Sequence, residues 1–82
     1  MHGVYPQRDG SVLVDGEVLV CDLNRTMNWA LPCKRASTVA GLLIHEALAI
    51  PDVGQTFAFH GFRFEVVQKV SNRLSSLKLS PH

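Results

Sequence analysis

Short runs of β-branched and aliphatic residues, interrupted by turn residues, mark the first third of the chain. Residues 12–14 and 17–20 each predict a strand. Asp15-Gly16 lies between them, and Asp-Gly is typical of a two-residue hairpin turn, in which both central residues have a positive φ. Asp22 then predicts the N-cap of a short helix that ends near Asn28. This part of the chain therefore predicts a β-hairpin followed by one helix.

The apolar spacing changes to a helical period between residues 38 and 49. Apolar residues three and four positions apart predict a buried stripe along this helix, formed by Val39, Leu42, Leu43, Ala47 and Ile50. Ile44 and Leu48 widen the stripe. Ser37 or Thr38 caps this helix and Pro51 stops it. Gly41 lies inside it, and close packing against a strand would explain so small a residue.

Three strands are predicted in the last third, over residues 56–59, 62–69 and 73–79, and the alternation of apolar and polar residues is clearest in the second. His60-Gly61 and Ser71-Asn72 form the turns between them. In the second of these strands, Phe62, Phe64 and Val66 are predicted to face the core, and Arg63 and Glu65 to face water. In the third strand, Ser75, Leu77 and Leu79 are predicted to share one face. The element order β-β-α-α-β-β-β predicts an α+β domain with a mostly antiparallel sheet, covered on one face by the long helix.

Length and charge restrict the class of protein. The chain has 82 residues, of which 46% are hydrophobic, enough for one compact domain and too few for two. Its net charge of +1, from 8 basic and 7 acidic residues, argues against a dedicated nucleic-acid binder. The longest apolar stretch, residues 39–50, is too short to span a bilayer, so we expect a soluble domain. We expect residues 1–7 to be a flexible segment or an expression remnant, and residues 80–82 to be a tail.

The two cysteines, Cys21 and Cys33, are far apart in sequence and form no C-x-x-C pair. The low cysteine content favours two free thiols in a reducing compartment, with a single disulfide as the alternative.

Every group that could carry chemistry also has a structural explanation. His45-Glu46 lacks the second histidine of a zinc-protease helix, because Ala49 stands at that position. The early carboxylates, from Asp9 to Asp22, match turns and caps rather than a calcium loop. His60 matches a hairpin tip. The residues alone therefore predict no catalytic, cofactor-binding or metal-binding site.

Several segments together resemble the transporter-associated CorC/HlyC domain, in order and spacing, over residues 8–79. They are DGSVLVDG at 9–16, DLN at 22–24, LP at 31–32, TVAGLL at 38–43, IPDVG at 50–54 and GFRFEV at 61–66. One departure is the loop at residues 33–36, which reads Cys-Lys-Arg-Ala where the family is usually acidic.

The resemblance implies a fold similar to the FAD-binding/transporter-associated domain-like fold, and a place after transmembrane and CBS domains in a bacterial inner-membrane protein. Such proteins are magnesium and cobalt efflux or hemolysin-like proteins. We therefore expect a non-catalytic accessory domain on the cytoplasmic side, without a cofactor. Its expected partners are the CBS and transmembrane domains of its parent. Independently of the resemblance, the terminal strands are expected to leave an exposed sheet edge that pairs with a second copy or with the CBS domains.

The alternative function is a small-ligand sensor for a nucleotide or flavin on the same fold. An aromatic cluster offers a pocket lining for such a ligand, and it consists of Phe57, Phe59, Phe62 and Phe64. The competing interpretation, which we favour, is that these rings are part of the hydrophobic core.

Overall fold

The computed structural model describes residues 3–34 and 36–81, which form five strands and two helices. In chain order they are β1 (Val4–Pro6), β2 (Val12–Asp15), α1 (Val20–Met27), α2 (Val39–Ala47), β3 (Thr56–Phe59), β4 (Phe62–Val70) and β5 (Arg73–Pro81). The strands form one sheet in the spatial order β1-β2-β5-β4-β3, and each neighbouring pair is antiparallel. This confirms the predicted α+β class and the order of two strands, two helices and three strands, although β1 is not one of the strands that the sequence predicted.

The core lies between one face of the sheet and the two helices. Alternate residues of the central strands point into it and are fully buried: Val12, Val14, Phe64, Val66, Leu77 and Leu79. Leu23 of α1 and Leu42 and Leu43 of α2 are also fully buried in the same apolar cluster. Because both helices contribute to this one layer, no helix of residues 3–34 and 36–81 lies over the opposite face of the sheet, which is called the outer face below.

The predicted hairpin at Asp15-Gly16 is wrong. Residues 17–19 form no strand, and β2 pairs instead with β1 on one side and with β5 on the other. Both edges of β2 are therefore occupied, which leaves no place for a returning strand. The chain still turns here, since the Val18 N–H donates to the Asp15 carbonyl oxygen at 3.1 Å.

Both chain ends contribute to the sheet, contrary to expectation. Val4–Pro6, which we expected in a flexible segment, form β1 and pair with residues 12–14 of β2. Pro81, which we expected in the tail, ends β5 and pairs with Phe62.

The start of α1 also differs from the prediction. Asp22 lies in its first turn, and the N-cap residue is Leu19, whose side chain makes no capping hydrogen bond. The Val20 N–H donates instead to the Ser37 carbonyl oxygen at 2.8 Å, so a distant segment satisfies this helix end. The helix ends as predicted at Asn28, which has a left-handed φ of 58°.

The Thr38 cap of α2 is confirmed, since its hydroxyl accepts a hydrogen bond from the Gly41 N–H at 3.1 Å. The helix is shorter than predicted and ends at Ala47, with Leu48 in the left-handed conformation. Leu48 is 89% exposed and Ile50 is also exposed, so neither belongs to the buried stripe. The space beside Gly41 is limited by Thr38 and Ala36 rather than by a strand.

Two register shifts between β4 and β5 change which residues of β5 face the core. The register moves between Val66 and Lys69, so Leu74 is buried where simple alternation predicted Ser75. The Ser75 hydroxyl is buried without a hydrogen-bond partner in the described structure.

Candidate interaction surfaces

Cys21 and Cys33 form a disulfide, which corrects the prediction of two free thiols. Cys21 lies in the first turn of α1, and Cys33 lies in the loop between the helices. Their Cα atoms are 5.2 Å apart, within the range of about 4.4–6.8 Å that a disulfide bridges. Sequence spacing gave no sign of this proximity, because it depends on how the loop folds back.

Asn24 holds that loop against α1. Its side-chain amide donates to the Leu31 carbonyl oxygen at 2.8 Å, and its side-chain oxygen accepts from the Leu31 N–H at 2.9 Å. Trp29, at the start of the loop, packs its ring on Phe62 with a centroid distance of 4.4 Å. The loop is therefore joined to α1 by a covalent bond and an amide clamp, and to the sheet by an aromatic contact.

The four phenylalanines of the predicted pocket pack into or against the core. Phe64 is fully buried, and the other three are partly buried against the same cluster. Phe57 stacks on Phe59 at 5.9 Å, and Phe59 approaches Phe64 at 6.2 Å. The cavity beside Phe59 and Phe62 is about 100 Å³, well below the roughly 300–1,000 Å³ of small-molecule sites. The geometry therefore favours a core role for these rings.

Three of the early carboxylates, Asp9, Glu17 and Asp22, have basic partners. Asp15, Glu17 and Asp22 line a shallow depression of about 450 Å³ beside Tyr5. Glu17 pairs with Arg73 at 3.4 Å, and Asp22 with Arg25 at 3.9 Å. Within residues 3–34 and 36–81, no three His, Cys, Asp or Glu side chains are grouped closely enough to hold a metal ion.

Glu46 reaches across to the β3–β4 turn rather than to the adjacent His45. Its carboxylate lies 3.3 Å from Nε2 of His60, and both side chains are mostly buried. This contact joins α2 to the tip of the hairpin. His60 has a φ of 56°, as predicted for a turn residue, so its position serves both the turn and the pair.

The outer face of the sheet displays a charged groove of about 310 Å³. Its lining comes from β4, β5 and the β1–β2 turn: Asp9, Ser11, Arg63, Glu65, Lys78 and Ser80. Lys78 lies directly across from Glu65 and places its ammonium 3.7 Å from the Asp9 carboxylate. The alternation in β4 correctly predicted that Arg63 and Glu65 face outward. The position of Asp9 in the groove could not be predicted in this way, because it depends on the conformation of the β1–β2 turn.

Neighbouring groups affect the ionisation of Asp9 at one end of this groove. The Ser11 hydroxyl and the Ser11 N–H both donate to the same Asp9 carboxylate oxygen. These hydrogen bonds, assisted by the charge of Lys78, lower the pKa of Asp9 below its ordinary value. The carboxylate is therefore charged at neutral pH, and it fixes the β1–β2 turn at one end of the groove.

The amino-acid sequence matches the model of a known family. The family model described as the transporter associated domain, CorC_HlyC, matches residues 6–82. The chain belongs to this family. The resemblance inferred from its segments is thereby confirmed.

The curated relatives of this chain are much longer proteins. The chain is 32% identical over 78 residues to the UPF0053 inner membrane protein YfjD of Escherichia coli, covering 95% of this chain and 18% of that protein. The chain thus spans about a fifth of the length of the curated relatives it matches. Within the described residues, neither helix has the length and apolar character needed to cross a membrane.

Two solved structures show the same fold. A CorC_HlyC domain of a Xylella fastidiosa hemolysin, in complex with Mg²⁺ and Mn²⁺, is 29% identical with a TM-score of 0.83, and the match covers 98% of each chain. The transporter associated domain of a CBS domain protein from Porphyromonas gingivalis is 25% identical with a TM-score of 0.87, over 96% of this chain and 97% of that one.

Proposed function

We propose that this chain is a non-catalytic accessory domain of a bacterial membrane ion-transport protein of the magnesium/cobalt efflux or hemolysin-like type. In this role it docks onto the CBS and transmembrane domains of its parent and modulates transport. Membership of the transporter-associated family supports the proposal, as does the much greater length of the inner-membrane relative.

The one-sided arrangement of the helices is the observation that carries this proposal. The inner face of the sheet is filled by apolar side chains, whereas the outer face presents Arg63, Glu65 and Lys78 to its surroundings. Such a surface suits recognition of a polar protein face by complementary charge.

Charge reversal on the outer face tests this docking. Arg63 is exposed beside the groove, so Arg63→Glu changes the charge there without removing a core contact. Titration calorimetry measures the binding of the isolated chain to a parent protein from which this domain has been removed. We expect Arg63→Glu to raise the Kd of this binding by about tenfold.

Arg25→Glu is the matched control, because the Arg25 side chain is 79% exposed on α1, away from the outer face. This control should bind like the unmodified chain. Equal binding by the Arg63 and Arg25 variants would contradict docking through the outer face.

We place the domain on the cytoplasmic side of the inner membrane, and the Cys21–Cys33 pair offers a direct test. Disulfides persist in oxidising compartments and are rare in the cytosol. Cytoplasmic placement therefore predicts that the disulfide seen in the isolated chain is reduced to two thiols in the parent protein inside intact cells, where a membrane-permeable alkylating reagent traps them. A fully oxidised pair in those cells would contradict this placement.

A further inference from the structure

The β3 strand forms an uncovered edge of the sheet. Its partner on one side is β4, and within the described part of the chain no strand lies on its other side. The pairing is short and regular, from Phe59 opposite Phe62 to Thr56 opposite Glu65. An uncovered edge of this kind presents free backbone donors and acceptors to any strand that can approach it.

The backbone groups that face this open edge follow from the turn. A two-residue turn joins Phe59 to Phe62, and the residues that flank such a turn form a hydrogen-bonded pair. Because hydrogen-bonded and non-hydrogen-bonded pairs alternate, Phe57 and Phe59 bond to β4. The N–H and C=O groups of Thr56 and Ala58 therefore point away from the sheet.

This edge lacks the usual protection against pairing. Residues 53–61 contain no Asp, Glu, Lys, Arg or Pro, although charged residues and proline are the common means of blocking an edge strand. The opposite edge of the sheet differs, because β1 ends in Pro6, which has no N–H to donate. The two edges are thus unequal in their capacity to accept a strand.

We propose that β3 pairs antiparallel with β3 of a second copy of this chain, about a two-fold axis at Phe57. Thr56 of each copy then lies opposite Ala58 of the other, and their outward groups form about four backbone hydrogen bonds. The absence of charge from residues 53–61 means that no like charges on this segment face each other across the axis. Thr56 and Ala58 lie beside Glu65 and Arg63 of the outer-face groove, but the contacts across this interface are backbone hydrogen bonds of β3. Dimerisation and the proposed docking are measured separately, so either can fail without the other.

The side chains of this segment suit the same two-fold arrangement. Phe57 is only partly buried within its own copy, and at the axis it meets Phe57 of the second copy as a non-hydrogen-bonded pair, with Cα atoms about 4.5 Å apart. His60 at the turn comes opposite Gly54, whose missing side chain leaves open space. Dimerisation therefore covers apolar ring surface that the helices leave partly exposed.

The isolated chain is suitable for the test, because solved domains that it covers to 97–98% fold at this length. Sedimentation equilibrium should show a weak dimer with a Kd of roughly 10 µM to 1 mM, as expected for a small interface. Ala58→Lys should raise this Kd by at least about tenfold, since a lysine on an edge strand opposes pairing. Tyr5→Lys, at an exposed position of β1, is the matched control and should leave the Kd unchanged.

Amide hydrogen exchange then locates the interface and separates it from other modes of association. The Thr56 and Ala58 amides should become protected as protein concentration rises, whereas the Phe57 and Phe59 amides should be protected at every concentration. A monomer at about 1 mM would overturn the proposal. So would a dimer in which Thr56 and Ala58 exchange freely, or one that Tyr5→Lys weakens as much as Ala58→Lys does.

Discussion

Gly16 occupies a position where contact, rather than backbone conformation, requires a glycine. A Cβ atom at this residue would overlap the Leu74 carbonyl oxygen and lie 3.0 Å from the Ala40 side chain. Its N–H also donates to the Ser75 carbonyl oxygen at 3.1 Å, so β5 passes directly against it at the register shift. The Asp-Gly pair was interpreted as a hairpin signal, but its glycine serves this long-range approach.

Gly16→Ala should therefore lower the free energy of unfolding by about 3 kcal/mol, because backbone atoms must move to admit the methyl group. Gly10→Ala is the control: Gly10 has a φ of 89° and open space around it, so only backbone strain of about 1 kcal/mol is expected. Urea unfolding of both variants measures the difference. An equal loss in the two would show that contact at Gly16 is unimportant.

Asp9 makes the stability of the domain depend on pH. Its pKa is lowered in the folded state, so its contribution to stability is fully present above the ordinary carboxyl pKa of 3.8 and is lost as the pH falls through the lowered value. The Tm of the unmodified chain should exceed that of Asp9→Asn at pH 7. This difference should shrink below about pH 4. A difference that stays constant from pH 7 to pH 2 would contradict this role.

At the scale of elements, several local signals were interpreted correctly, whereas the hairpin at Asp15-Gly16 and the start of α1 were wrong because long-range contacts decide them. The Thr38 cap, the turn at His60-Gly61 and the alternation in β4 depend on residues close in sequence, and the structure confirms them. The start of α1 depends instead on Ser37, and the neighbours of β2 come from the two ends of the chain. Such contacts between residues far apart in sequence cannot be predicted from the pattern of a short segment.

The disulfide between α1 and the loop is an element-scale constraint that stabilises the fold. It closes a separation of 12 residues, and the chain-entropy account gives about 3 kcal/mol for a loop of this size. Reduction, or the double change of Cys21→Ser and Cys33→Ser, should lower the free energy of unfolding by about that amount.

The fluorescence of Trp29, the one tryptophan of the chain, reports whether the loop stays in place on Phe62. Since Asn24 still clamps Leu31, we expect the emission of the folded reduced chain to stay close to that of the oxidised chain. Thiol titration of the unreduced chain is the control. Finding two free thiols there would contradict the disulfide itself.

At the scale of the whole molecule, the fold class followed from the sequence, but the surfaces did not. The order of elements and the family segments were sufficient to identify an α+β transporter-associated domain. The charged groove required knowledge that the β1–β2 turn brings Asp9 to Lys78, and the open edge required the strand order. Both are products of non-local strand pairing.

Deleting this domain from its parent protein tests the central claim most directly. Cation efflux from cells that express the full-length or the truncated parent should be compared at equal membrane abundance, with a parent carrying Arg25→Glu as the control. An accessory role predicts that deletion changes the efflux rate or the assembly of the parent, while the control behaves as the unmodified protein. Unchanged efflux together with unchanged assembly would contradict it.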